Sequence, residues 1–276
     1  MRQILGCDFS SRPTRVKPIV LAVASRQGLR VKIDGLHTFE RIEDWAHWLA
    51  QPGDWVGGFD LPFGLPRPLL QSLAAPLQWA DSMDWYAGLT RDQIRARFKA
   101  YCDARPPGQK MAHRVTDGPA GSSPSMKWVN PPVAYMLHAG VPVLRAAGVH
   151  LPGLQAGDER RVALEAYPGL LAREILGRQS YKSDDKARQT PERLLARRTL
   201  LGALERGENR WGLRLAASHA LLNRLAEDAS GDALDACLCA LQAAWADAQH
   251  AAGHPQWGLP AFDPLEGWIL MAEPVV

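Results

Sequence analysis

Two short stretches decide the fold: residues 3–8, QILGCD, and residues 55–60, WVGGFD. Each is an apolar run that ends in an aspartate, and each is followed by turn-rich sequence, FSSRP after the first and LPFGLP after the second. A short apolar run bounded by turn residues is typical of a buried β-strand. We therefore predict two buried strands that end at Asp8 and Asp60.

The sequence around these stretches predicts the rest of the core. Residues 18–25 and 29–34 are apolar runs separated by a three-residue turn, which favours an antiparallel pair. Residues 39–51 have helical apolar spacing, and residues 162–167 (VALEAY) predict a fifth strand. Residues 232–248 are rich in Ala and Leu, with one apolar stripe, and predict a long terminal helix.

This order of elements predicts the fold class. Three strands, a helix, a strand, a long insertion, a strand and a helix make a mixed α/β fold, and a ribonuclease H-like fold has this order. We expect a mixed five-stranded sheet with flanking helices, formed by residues 1–66 and 159–276. Residues 169–226 should be an amphipathic helical region. Residues 67–158, which are rich in proline, predict a large and mainly helical insertion.

Composition excludes several classes of protein. The 276 residues carry 32 Lys and Arg against 29 Asp and Glu, and a net charge of +3 does not by itself imply nucleic-acid binding. No apolar stretch is long enough to span a bilayer, and the N-terminus lacks a signal-peptide core. The four cysteines have no metal-ligand spacing. We expect a cytoplasmic protein in a reducing compartment, with no membrane partner.

Four aspartates are the candidate metal ligands. Asp8 and Asp60 end strands that should meet at one edge of the sheet, and Asp232 and Asp235 share a face of the last helix. Clustered carboxylates raise one another's pKa unless cations neutralise them. Mg²⁺ or Mn²⁺ prefers such oxygen ligands, and two ions about 4 Å apart are typical of phosphodiester cleavage. We therefore predict a site for two divalent ions.

Each aspartate except Asp235 has a structural alternative. Asp8 and Asp60 could cap turns at the ends of their strands. Asp232 could be an acid at a helix N-terminus, where it complements the helix dipole. Asp235 lies one turn inside an apolar helix, so neither alternative fits it.

Five motifs span the chain: GCDFS at 6–10, GFDLPFGLP at 58–66, LEAYP at 164–168, SYK at 180–182 and GDALDA at 231–236. In this order they resemble the motifs of domain-of-unknown-function family 429, which is described as predicted nucleases of the ribonuclease H-like fold. The resemblance implies that Asp8, Asp60, Asp232 and Asp235 occupy the acidic positions of that superfamily. It also implies roles for Glu165 and Lys182, and an arginine-bearing helix that residues 101–105 loosely match.

The roles of Glu165 and Lys182 stay open. Glu165 is either a further metal or water ligand, or a buried acid paired with a base such as Lys182. Lys182 either neutralises a phosphate oxygen of the substrate or is a solvated loop residue.

Residues 91–114 contain seven basic residues and two acidic ones. This excess fits a surface that follows a phosphate backbone, with Trp128 and Tyr135 as stacking platforms. An ordinary solvated helix face explains it equally well. The residues predicted to contact substrate phosphate are Arg95, Lys99, Arg105 and Arg114.

Together these features predict a divalent-metal-dependent phosphodiester hydrolase, a nuclease, that acts on nucleic acid or a nucleotide. A nucleotide-binding phosphotransferase of the same fold superfamily is one alternative, although residues 8–12 contain no glycine for a phosphate-binding turn. A non-catalytic nucleic-acid-binding module is another. Motifs of serine hydrolases, zinc proteases, P-loop proteins and dinucleotide-binding proteins are absent from the sequence.

Overall fold

A computed structural model of the protein describes residues 2–274 as an α/β fold with one mixed sheet between two layers of helices. The strands in this range are β1 (Gln3–Asp8), β2 (Ile19–Gln27), β3 (Arg30–Phe39), β4 (Trp55–Asp60), β5 (Val149–His150), β6 (Asp158–Glu165) and β7 (Arg214–Ala216). The helices are α1 (Ile42–Leu49), α2 (Arg67–Ser72), α3 (Trp79–Ala87), α4 (Arg91–Asp103), α5 (Asp117–Ala120), α6 (Val133–Ala146), α7 (Pro168–Leu176), α8 (Pro191–Arg206), α9 (His219–Glu227) and α10 (Asp232–Ala251), with a 3₁₀ turn at Lys186–Arg188.

The strands lie in the order β5-β6-β4-β1-β2-β3-β7. β2 is antiparallel to both of its neighbours, and all other neighbouring pairs are parallel. β1, β4 and β6 therefore end at the same edge of the sheet. The register pairs Asp8 with Asp60 and Phe59 with Glu165, so three acidic strand ends lie side by side.

The α/β class is confirmed, but the count of five strands is wrong, because β5 and β7 extend the sheet at its two edges. β5 has two residues and lies in the segment predicted as an insertion; β7 has three and lies in the region predicted as helical. Neither is long enough to show an apolar alternation in the sequence. The observed bounds of β1 and β4 agree with the predicted 3–8 and 55–60.

The sheet separates two hydrophobic cores because successive side chains of a strand point to opposite faces. In β1, Ile4 packs with α7 to α10 on one face, whereas Leu5 and Cys7 pack on the other. Phe98 of α4 and Leu137 of α6 share that second core. The helical segment 67–158 is therefore joined to the sheet through a common core.

Glycine lets α10 lie directly on the sheet. A Cβ at Gly6 of β1 would overlap the carbonyl oxygen of Ala236, and a Cβ at Gly58 of β4 would lie 2.5 Å from the carbonyl oxygen of Cys239. Both distances are shorter than Cβ atoms tolerate. The two glycines thus allow a backbone-to-backbone approach, and this approach sets the position of Asp235, the residue before Ala236.

We expect Gly6→Ala to destabilise the protein by about 3 kcal/mol or more, because the added methyl group has no space and the helix must move away from the sheet. A loss of this size lowers Tm by roughly 6 to 12 °C in a protein of this length. Gly35→Ala in β3 is the matched control, since a Cβ there has no atom within 4 Å. Thermal melts of both variants check the prediction, and equal Tm values would contradict it.

Candidate metal centre

Three carboxylates meet at the edge of the sheet where β1 and β4 end. One oxygen from each of Asp8, Asp60 and Asp235 lies within 4.8 Å of the other two. Asp8 and Asp60 are direct neighbours on parallel strands, and Asp235 lies in the first turn of α10. Asp8 is 7% exposed and Asp235 is fully buried, whereas Asp60 is partly exposed. The cluster therefore has one solvent-facing side.

The three carboxylates differ in their hydrogen bonds. Asp235 accepts one from the Tyr181 hydroxyl at 2.5 Å and one from the Lys182 ammonium. Within residues 2–274, no donor forms a hydrogen bond to the carboxylate of Asp8 or Asp60. Neither residue therefore caps a turn, and the charges of both are left without a hydrogen-bonded partner.

The pKa values of the cluster reflect its burial and the charges of neighbouring groups. Burial raises the pKa of Asp8 well above its ordinary range; Asp235, Asp232 and Asp60 add to the rise and Lys182 opposes it. Burial likewise raises the pKa of Asp60 to about 7, against the effect of Lys182. Burial disfavours the charged form of Lys182, but the Asp235 carboxylate reverses this and the pKa of Lys182 lies well above its usual value.

This donor set fits a hard divalent cation. Carboxylate oxygens are the ligands that Mg²⁺ and Mn²⁺ prefer, and two of the three carboxylates have no competing donor. When all three acidic groups are ionised, Lys182 supplies one positive charge against three negative ones, and the site carries net negative charge. A cation bound to Asp8 and Asp60 would neutralise that charge.

Asp232 lies outside this group. Its Oδ1 accepts from the Lys17 ammonium at 3.2 Å, and the same ammonium contacts Asp184 at 2.5 Å. Asp232 is also the first residue of α10, where a carboxylate complements the helix dipole. The group of three carboxylates offers ligands for one ion, and a second ion would need Asp232 or the substrate.

Glu165 has a different partner from the one expected. The Arg114 guanidinium donates to both of its carboxylate oxygens at 2.6 and 2.8 Å, and the Phe63 amide donates to Oε2 at 2.9 Å. Lys182 is bonded to Asp235 instead. Glu165 is thus a buried acid paired with a base, and that base is Arg114.

The same contacts argue against the predicted phosphate role of Arg114. Arginine has five N–H donors, and those of Arg114 make five hydrogen bonds, to Glu165, Asp117 and the Glu266 carbonyl. The residue is 3% exposed. No N–H donor of Arg114 is therefore free for a substrate. Its hydrogen bonds instead join the helical segment 67–158 to β6 and to the C-terminal segment.

The other predicted phosphate contacts do not line the cleft that contains the carboxylates. Arg95 and Lys99 are exposed on α4, where Lys99 pairs with Asp103 at 2.5 Å. Arg105 folds back onto its own segment and donates to the Tyr101 hydroxyl at 2.7 Å. A role for these residues in substrate binding stays a prediction.

The cleft has a volume of about 1020 Å³ and contains basic residues that sequence reasoning missed. Besides Lys182, its lining includes Arg12, Lys17, Arg173 and Arg178. The available signal was proximity in the chain: Arg12 follows the GCDFS motif closely, and Arg178 precedes the SYK motif. Tyr181, which binds Asp235, was visible only as part of that motif.

The fold and the carboxylate cluster define an α/β protein with a candidate metal centre at the carboxyl edge of its sheet. The chain belongs to the family described as Protein of unknown function (DUF429), whose model matches residues 6–256. The matched range includes all five motifs, so the family resemblance seen in the sequence is confirmed. Neither a curated protein nor a solved structure matched the chain.

None of the helices in residues 2–274 is both long and apolar enough to cross a membrane. All four cysteines are buried and free.

We expect Asp60→Asn to stabilise the metal-free protein above neutral pH. Because the folded-state pKa of Asp60 is raised to about 7, its contribution to stability is present at low pH and is lost as pH rises through 7. In EDTA, the Tm of Asp60→Asn minus that of the wild type should therefore grow from pH 5 to pH 8. Mn²⁺ should raise the Tm of the wild type more than that of Asp60→Asn, since a ligand at a hundred times its Kd adds about 2.7 kcal/mol to the wild type.

Thermal melts at both pH values, in EDTA and in Mn²⁺, measure this. Asp34→Asn, at an exposed position on β3, is the control and should respond to Mn²⁺ as the wild type does. If Asp60→Asn is strongly destabilised in EDTA and retains the full Mn²⁺ response, Asp60 is not a metal ligand.

Glu165→Gln should destabilise the protein by about 3 to 5 kcal/mol, because it breaks a buried ion pair and leaves part of the Arg114 charge uncompensated. Glu227→Gln breaks an exposed pair with Arg198 and should cost about 1 kcal/mol or less. Denaturant unfolding measures both losses. Glu165→Gln should keep its Mn²⁺-induced rise in Tm, and loss of that rise would instead indicate that Glu165 binds the metal.

Proposed function

We propose that this protein is a divalent-metal-dependent phosphodiester hydrolase, a nuclease, with a ribonuclease H-like core. The observation that carries the proposal is the group of Asp8, Asp60 and Asp235, whose oxygens lie within 4.8 Å of one another, with Asp8 and Asp60 lining a cleft. Mg²⁺ or Mn²⁺ is the proposed cofactor, with these three residues as its ligands.

The sheet supports the proposed core. Its central strands, in the order β3-β2-β1-β4-β6 with β2 antiparallel to its neighbours, have the arrangement expected of a ribonuclease H-like fold. In that arrangement the acidic residues stand at the ends of the first and fourth strands and on the last helix. Asp8, Asp60 and Asp235 occupy these positions here.

Each side chain of the site has a task in the proposed reaction. Asp8 and Asp60, which lack internal donors, hold the cation, and Asp235 completes the ligand set while Tyr181 fixes its orientation. A bound divalent cation lowers the pKa of an attacking water and stabilises charge on the phosphate. Lys182 can release Asp235 and neutralise a non-bridging oxygen of the substrate. The arginines of the cleft attract the anionic substrate.

Metal-dependent cleavage tests the proposal. Labelled DNA and RNA, single-stranded, duplex and branched, are incubated with the protein in EDTA, Mg²⁺ or Mn²⁺, beside bis(p-nitrophenyl) phosphate and ATP. We expect diester cleavage only with metal. Asp60→Asn and Asp235→Asn should reduce the rate at least about 100-fold, which corresponds to the several kcal/mol that a metal contributes to such a transition state.

Asp34→Asn, purified in the same way, controls for contaminating nucleases and should match the wild type. Turnover of ATP without diester cleavage would indicate a phosphotransferase. Binding of nucleic acid without any turnover would indicate a non-catalytic binding module.

A further inference from the structure

Four arginines line the cleft that contains the carboxylate cluster, and they come from four parts of the fold. Arg12 lies in the loop after β1, Arg91 begins α4, Arg173 lies on α7 and Arg178 lies in the loop after α7. Within residues 2–274, none of the four forms an ion pair with a carboxylate. Arg114, the fifth arginine of the lining, donates all its hydrogen bonds to Glu165, Asp117 and the Glu266 carbonyl and does not belong to this set.

Two of the four are held in position by neutral groups. Arg91 donates to the Ser11 carbonyl at 2.7 Å, and its guanidinium lies 4.8 Å from the centre of the Tyr135 ring. Arg173 donates to the Tyr167 hydroxyl at 2.5 Å, and its guanidinium lies 5.3 Å from the centre of the Tyr167 ring. These contacts fix the orientation of both guanidinium groups but leave their charges uncompensated.

The charges at one end of this set repel each other. Burial lowers the pKa of Arg91, and the nearby Arg12 lowers it further. Arg91 also bonds the residue next to Arg12, so the pair is kept together by the fold. Like charges held side by side without a carboxylate form a site that an anion stabilises.

We infer that the cleft binds an unpaired phosphodiester chain, whose backbone phosphates contact Arg12, Arg91, Arg173 and Arg178 on either side of the scissile bond. This inference rests on the proposed function, since it makes the carboxylate cluster the point at which that chain is cut. It names the substrate class as single-stranded nucleic acid.

The size of the cleft favours a single strand over a duplex. Its volume of about 1020 Å³ is at the upper end of the range of about 300 to 1,000 Å³ that is typical of small-ligand sites, which is room for a few nucleotides. Arg91 is only partly exposed, so a phosphate that reaches it must enter the cleft, and the paired bases of a duplex would have to enter with its backbone. A basic groove combined with aromatic side chains, here Tyr135 and Tyr167, is characteristic of single-strand binding.

Fluorescence anisotropy with fluorescein-labelled 8-nucleotide DNA and RNA strands tests this, beside the same DNA sequence as a blunt duplex. Binding is measured in Ca²⁺ at 4 °C, and gels confirm that the probe stays intact. We expect a single strand to bind at least 10-fold more tightly than the duplex. A plot of log K against log salt should have a slope of roughly −1.4 to −2.8, which corresponds to two to four phosphates.

Charge-reversal variants identify the surface that binds the single strand. Arg12→Glu and Arg178→Glu, both at exposed positions, should each weaken single-strand binding at least 10-fold and flatten the salt slope by about 0.7 or more. Arg160→Glu is the matched control. Arg160 is exposed near the start of β6, at the opposite end of this strand from Glu165, and its charge reversal should change affinity less than 2-fold. Melts confirm that each variant is folded.

Three results would overturn the inference. Equal losses in Arg160→Glu and Arg12→Glu would mean that only net charge matters. A loss in Arg95→Glu as large as that in Arg12→Glu would move the binding surface to the outer face of α4. Duplex binding as tight as single-strand binding would remove the requirement for an unpaired chain.

A small substrate separates this inference from the proposed function. Hydrolysis of bis(p-nitrophenyl) phosphate by the wild type, and its loss in Asp60→Asn, reports on the metal centre without a nucleic-acid chain. If that hydrolysis depends on metal but Arg12→Glu and Arg178→Glu bind oligonucleotides normally, the inference fails and the proposed function stands. If the two variants lose binding but no diester is cleaved with any metal, the cleft binds single strands and the proposed function fails.

Discussion

The close approach of α10 to the sheet is the constraint on which the candidate site depends. Asp8 and Asp60 are fixed relative to each other by the register of β1 and β4, so the strands alone bring two carboxylates together. The third carboxylate, that of Asp235, comes from a helix, and its position depends on how closely that helix lies on the strands. Glycine at positions 6 and 58 removes the side chains that would hold the helix away. Fold stability and site geometry are therefore controlled by the same contact.

The carboxylate cluster lowers the stability of the fold that positions it. Three carboxylates in a largely buried group repel one another, and burial favours the protonated forms of Asp8 and Asp60. Tyr181 and Lys182 compensate only Asp235 directly. Functional sites commonly keep such unfavourable groups because the rest of the structure holds them in place. Here the surrounding hydrophobic cores on both faces of the sheet supply that stability.

A second set of buried charges has a structural task. Arg114 bonds Glu165 at the end of β6, Asp117 in its own segment and the Glu266 carbonyl near the C-terminus. The Glu266 carboxylate in turn accepts from the backbone amides of Arg67 and Val115 at 2.8 and 2.7 Å. Because these contacts are buried and directional, they fix the helical segment 67–158 against the sheet. A motif residue such as Glu165 can therefore lie near the carboxylate cluster and still stabilise the scaffold.

The sequence by itself determined the elements whose signals are local. Apolar runs that end in an acid predicted the exact bounds of β1 and β4, and the Ala- and Leu-rich segment predicted α10. Such signals can be detected in a sequence because they depend on residues that are close together in the chain. Tertiary structure decided which charges meet. Lys182 pairs with Asp235, Glu165 pairs with Arg114, and the basic residues of the cleft come from separate loops. Ion pairing depends on distances between side chains that are far apart in the chain, and a single sequence does not contain those distances.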